Sequence, residues 1–295
     1  MSEQPTTMSN ATVVLTDTPG RRLRRALRQL VRRPSILLAA LIVLTAILAA
    51  LFPAMFTSRD PLGTDPQHIL QPPGTAGFLL GSDAVGRDLL TRIIYGAGPS
   101  LQAALIALVV SFVGGVVLGL LAGYFGRWVD VVIMRVVDVV LAFPALLFAM
   151  AIIAVLGIGP VNVALAVGIV GVAQMARVMR AEVMRVRTQT YVEAAGVSGA
   201  RWYSLLLRHV LPNSLGPIVV LATLEFGIAI LAVSSLSFLG FGAPPPAPEW
   251  GSLVADGRQF IVAAWWLAIF PGLAIALTVL STNRIARAFE GELKG

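Results

Sequence analysis

The stretch LQAALIALVVSFVGGVVLGLLAGY, residues 101–124, decides the fold, because 24 consecutive positions carry no charge. An α-helix rises about 1.5 Å per residue, so about 20 apolar residues cross a hydrocarbon core about 30 Å thick. This run is long enough. Within it Gly115, Gly119 and Gly123 recur every fourth residue and share one helix face. Small residues at that spacing let membrane helices approach closely without a hydrophobic driving force between them. Packing within the chain is the first reading of this stripe, and an interface with a second membrane subunit is the other.

Comparable runs flank it. Ile36–Phe52 contains nothing more polar than Thr45, and Val139–Ala176 is free of charge but interrupted by Gly157-Ile158-Gly159-Pro160. Those four residues read as a tight turn between two spans. The 38 residues of that run barely hold two crossings, so the third span is expected to begin near Val131, with Arg135 and Asp138 in its first turns. Leu215–Leu236, with Glu225 in its middle, and Ile261–Leu280 complete the set. The sequence thus predicts an all-α polytopic membrane protein with six transmembrane helices.

Composition agrees. The chain is 57% hydrophobic and 13% charged over 295 residues, where soluble domains carry about 25% charged residues. The net charge of +7 suggests nucleic acid only until the basic residues are sorted by side. With the N-terminus inside, the inner segments hold eighteen Arg and Lys residues and the outer segments four. Basic residues collect on the cytoplasmic side, so the chain reads as N-in and C-in, with membrane lipid and not nucleic acid as its partner. The first apolar run exceeds a signal-peptide core and no Ala-x-Ala site follows it. Residues 1–20 are polar and expected to be disordered. Residues 21–99 comprise a basic amphipathic segment, the first span and an outer loop. Residues 100–290 form a five-helix core around an inner loop at 177–213.

Several chemistries are excluded. A phosphate-cradling P-loop needs a lysine after its glycines, and the only lysine is Lys294. No cysteine is present, which removes disulfides and thiolate metal sites. His68 and His209 lie far apart, so no metal site is expected, nor any catalytic constellation. Asp138 and Glu225 are the intramembrane carboxylates, and such groups are functional candidates by default. A salt bridge from Asp138 to Arg135 on the same helix face is the simpler reading of the first. As weak candidates for a translocation path, the two would also serve an ion-coupled transporter.

Three connections are patterned. The outer segment contains Gly81-Ser82-Asp83-Ala84-Val85-Gly86-Arg87-Asp88, whose glycines permit turns and whose charges suit a network at the membrane surface. Either a structured entry to the second helix or direct substrate contact would use it. A second outer loop, Ser237–Phe260, holds Pro244-Pro245-Pro246 and Trp250, the latter suited to the lipid interface. The inner loop reads as helix, glycine turn, helix: Tyr191–Ala195, then Gly196 and Gly199, then Arg201–Val210, ended by Pro212. Its small residues would let another protein approach closely.

Glu193-Ala194-Ala195-x-x-x-Gly199, followed after nine residues by His209-Val210-Leu211-Pro212, resembles the EAA loop of ABC importer permeases. The outer Leu80-Gly81-Ser82-Asp83 to Asp88 segment and Leu236-Ser237-Phe238-Leu239-Gly240 resemble the dipeptide, oligopeptide and nickel subfamily, C-type subunit. The chain departs from that pattern after Asn283 and at Val233. The resemblance implies a type I importer permease fold and an ATPase-coupling role for Glu193, Ala194, Ala195, Gly199, His209 and Pro212. It also implies no cofactor on this chain, with ATP and magnesium on partner subunits. Those partners would be a second, B-type permease, two cytoplasmic ATPase subunits and an external substrate-binding protein. Short peptides are the expected cargo, with nickel or another small solute as the alternative.

Overall fold

A computed structural model describes residues 34–75 and 77–293. The polar tail, the basic cluster before Pro34 and Lys294 lie outside the described residues. The helices are α1 (Pro34–Leu51), α2 (Leu89–Phe125), α3 (Arg127–Ala142), α4 (Ala145–Leu156) and α5 (Pro160–Arg187). They continue with α6 (Thr190–Val197), α7 (Trp202–Phe238), α8 (Trp250–Arg258) and α9 (Trp266–Leu293). Five of them, α1, α2, α5, α7 and α9, are long and apolar enough to cross a membrane individually.

The most extensive helix pair is α2 with α5, and its register settles the topology. Side chains built on Gly115, Gly119 and Gly123 would strike Met175, Met179 and Val183 at 2.2, 2.6 and 2.8 Å. From the other side, Gly168 and Gly171 face Val110 and Ser111. The partner number rises with the residue number throughout, so the two helices run parallel. The glycine stripe therefore packs within the chain. Parallel neighbours also require residues 126–159 to carry the chain back across the bilayer.

That return is made by α3 and α4 together, bent by 101° at Phe143 and Pro144. The expected single third helix is thus a broken one. Pro144 has no N–H to give and disfavours helical backbone at the residue before it, and Phe143 is extended (φ −90°, ψ 146°). On its inner half α3 is tied to α5 by Asp130 with Arg180 and by Asp138 with Arg177, the latter at 2.7 Å. Asp138 therefore reaches across to another helix and not to Arg135. The Asp138 pair is more than half exposed, which limits its worth to about 0–1 kcal/mol.

The remaining helices alternate. Glu225 of α7 borders the same cavity as Gly171 and Gln174 of α5. Ala229 and Ile230 of α7 pack with Ile275 and Val279 of α9. Arg284 near the inner end of α9 donates to Ser35 at the start of α1 (3.0 Å). Six passes result, the third one bent. Helix α2 begins at Leu89 and runs through Pro99, so the boundary drawn at residue 99 falls inside a continuous helix.

Two helix ends differ from expectation. The last span starts at Trp266, because the N–H groups of Ala263 and Ala264 turn back onto the Phe260 carbonyl. Pro212 does not stop its helix. Residues Leu205–Val210 form a π turn that flows into the span through Leu211 and Pro212. A wider turn re-registers the hydrogen-bond ladder at the point where proline withholds a donor and crowds the preceding carbonyl.

Candidate functional site

The inner end of the bundle presents the EAA segment. Helix α6 buries one residue, Val192 (5% exposed), among Met175, Met179, Val183, Val186, Leu206 and Val210. This apolar anchor turns Glu193 and Ala194 outward, with Ala195 half-buried. Glu193 lies in the first turn of α6, where a negative charge suits the helix dipole. The chain reverses at Gly199, whose φ of +86° is a region that side-chain-bearing residues resist. Nothing stands within 4 Å of where a Cβ on Gly199 would be. Within this chain the glycine is demanded by its backbone and not by crowding. His209 is half-buried in the π turn, and Pro212 is exposed one turn on.

The loop is latched to the parallel pair above it. Arg187, ending α5, donates to the Tyr124 carbonyl at 2.6 Å, and the Tyr124 hydroxyl donates to the Trp202 carbonyl at 3.1 Å. Phe125 meets Tyr124 edge to face and Trp202 at a tilt, and Trp202 meets Tyr203 edge to face. The ends of α2 and α5 and the start of α7 therefore meet at one place. Helix α6 joins this meeting point through Val192, which packs with Val186 of α5 and Leu206 of α7. Sequence reasoning missed this latch, although aromatic residues at 124–125 and 202–203 with Arg187 nearby are its visible trace.

At the outer end, Asp83 accepts from the N–H groups of Val85 and Arg87 (2.9 Å each) and pairs with the Arg87 guanidinium at 2.6 Å. Asp88 caps α2, accepting from the Thr91 N–H at 2.9 Å and facing Arg59 at 3.5 Å. Gly81 and Gly86 both have φ above +80°, and a Cβ on Gly86 would sit 1.9 Å from the Asp65 carbonyl oxygen. The motif builds an entry to α2. Arg92, 2% exposed, lies 3.4 Å from the carbonyls of both Pro61 and Pro246 and 3.7 Å from Asp83. It thereby links the two outer segments, which sequence spacing did not reveal. Trp250 is not interfacial: it is buried, donating its backbone N–H to Ser100 Oγ at 3.0 Å and its indole N–H to the Ile93 carbonyl at 2.9 Å. Glu249 caps α8 and is buried beside it, and burial pushes its carboxyl above the usual range. Hydrogen bonds from Ser237, Ser252, and the Gly251 and Ala243 N–H groups oppose that rise.

The sequence matches a family model described as the binding-protein-dependent transport system inner membrane component over residues 115–295. This chain belongs to that family. As such it is a membrane-embedded permease component and not an enzyme, and it works with transport-system partners outside itself. It is 43% identical to the dipeptide transport system permease protein DppC of Alkalihalophilus pseudofirmus, over 89% of this chain and 86% of the relative. Identity is also 43% to the di/tripeptide permease DppC of Pseudomonas aeruginosa, covering 82% of each chain. The glutathione permease GsiD of Pectobacterium atrosepticum is again 43% identical, over 74% of this permease and 72% of the relative. A crystal structure described as an amino acid ABC transporter with histidines superposes with a TM-score of 0.54. It covers 68% of this permease and 94% of that chain at 16% identity, which speaks for the fold alone.

Proposed function

We propose that this permease is one half of a heterodimeric path for short peptides in an ATP-driven importer. The second half would be a B-type permease, two cytoplasmic ATPases would supply ATP and magnesium, and an external binding protein would deliver cargo. Support for peptides comes from relatives at 43% identity that are named for dipeptides and di/tripeptides. The observation that carries the coupling reading is the inner face of α6, with Glu193, Ala194 and Val197 outward and Val192 anchored beneath. An ATPase groove would engage that face, Gly199 would let the loop reverse below it, and His209 and Pro212 would pass its movement through the π turn into α7.

Ala194→Arg tests the reading more cleanly than a change at Gly199, where any side chain is strained by the backbone. Ala194 is exposed, so arginine adds bulk without disturbing this chain's own packing. Reconstituted with its partners, the variant should insert and fold normally yet lose binding-protein-stimulated ATP hydrolysis and peptide uptake together. Uptake at the unaltered level would overturn the assignment.

A further inference from the structure

One ionisable group has no counterpart anywhere in the sites described above. Glu225 stands fifteenth of the 28 residues in Leu211–Phe238, halfway through the membrane part of α7. It is 8% exposed, and its Oε1 has no hydrogen-bond partner among the described residues. The side chain borders a cavity of about 140 Å³ lined by α2, the α3–α4 elbow, α5 and α7. Among the described residues only Ser111 and Gln174 join it as polar lining, and no basic residue does. The Ser111 hydroxyl gives its proton to the Leu108 carbonyl at 3.0 Å, so it turns lone pairs and not a donor to the space. Leu141, at the carboxyl end of α3, borders the same cavity, and the free carbonyls of a helix end carry partial negative charge. Ala145 and Leu146 at the start of α4 border it too, so the two helix ends offset each other, and the Gln174 amide can donate or accept. Glu225 is therefore the one ionisable group among the lining residues, and its carboxylate favours a visiting cation.

The energetics point the same way. A carboxylate withdrawn from water with no counter-charge costs several kcal/mol, and intramembrane carboxylates mark substrate or ion pathways. The opening is made by the broken span, and irregular backbone at membrane depth is tolerated where it lines a cavity. We propose that this cavity is a stage of the translocation path, in which the Glu225 carboxylate receives ammonium groups of the cargo and favours peptides of net positive charge. The inference rests on the peptide-permease reading and adds a charge preference to it.

The complete complex, reconstituted in vesicles with its binding protein, provides the test. Uptake of the tripeptides lysyl-alanyl-alanine and glutamyl-alanyl-alanine is measured for the wild type, Glu225→Gln and Glu225→Asp, each peptide being supplied at saturation of the binding protein. The ratio of lysyl to glutamyl uptake should fall about tenfold in Glu225→Gln, equivalent to ~1.4 kcal/mol, and stay near the wild-type ratio in Glu225→Asp. Equal loss of both peptides, or an unchanged ratio, overturns the proposal. Failure of Glu225→Gln to co-purify with the second permease also overturns it, making Glu225 a counter-ion for that subunit. A wild-type complex that takes up neither peptide refutes the peptide reading itself, which is a distinguishable result.

Discussion

Gly115 leaves no room for even a methyl group: its added carbon would lie 2.2 Å from the Met175 Cβ, which belongs to a packed helix and cannot swing away. Gly115→Ala should therefore lower stability by about 1–3 kcal/mol, the usual cost of overpacking, read as a drop in the thermal midpoint in detergent. Gly272 of α9 has nothing within 4 Å. Gly272→Ala should raise the midpoint instead, by about 0.5–1 kcal/mol of recovered helix propensity. The stripe itself is visible in sequence, since it is a spacing. What it packs against is not, because Met175, Met179 and Val183, although spaced by four like the glycines, are large apolar residues of the kind that also face lipid. Glu225 repeats the pattern: a lone carboxylate in an apolar run is easy to see, and the cavity it borders is made by five helices.

At the scale of elements, the outer helix α8 carries a titratable anchor in Glu249. Its folded pKa is raised by burial, so the folded state binds a proton more readily than the unfolded one. Stability from this group is greatest below its ordinary value of 4.5 and is lost as pH rises through the raised value. Glu249→Gln removes the titration. The wild-type midpoint should accordingly gain on the variant as pH falls from 8 towards 5, and a gap that does not vary with pH would refute the burial argument. The elements themselves were largely legible, because charge-free length identifies spans. The elbow was not, although Pro144 sits inside the apolar run as its signal. An uninterrupted absence of charge hid a change of direction. Pro212 misled in the opposite sense, since a π turn absorbs the proline and the helix continues.

The whole molecule is oriented by its arginines, and the register of α2 against α5 adds that these two helices cross in the same sense. The absence of cysteine makes it directly measurable. Val262 is 96% exposed at the outer end and Val197 is 91% exposed beside the inner loop. A membrane-impermeant maleimide should label Val262→Cys from outside in intact cells. Val197→Cys should react only in inverted vesicles, and it should become protected once the ATPase subunits are present. Labelling of both from one side would refute the topology. The motifs made the family legible because they lie in loops, where a few residues at fixed spacing must satisfy another protein. Contacts such as Arg92 with both outer segments are hidden because 154 residues separate Arg92 from Pro246.

The broken third span also constrains how the chain is made. Helix α4 has 12 residues, which amounts to about 18 Å of helix, well short of the hydrocarbon thickness. During synthesis it cannot leave the insertion machinery as an independent span. It enters lipid as half of the pass it shares with α3, and α5 follows across the turn at Gly157–Gly159. Helix α2 is by then already placed. The helix pair with the most extensive contact in the finished protein is thus completed only after the elbow between its members has been made.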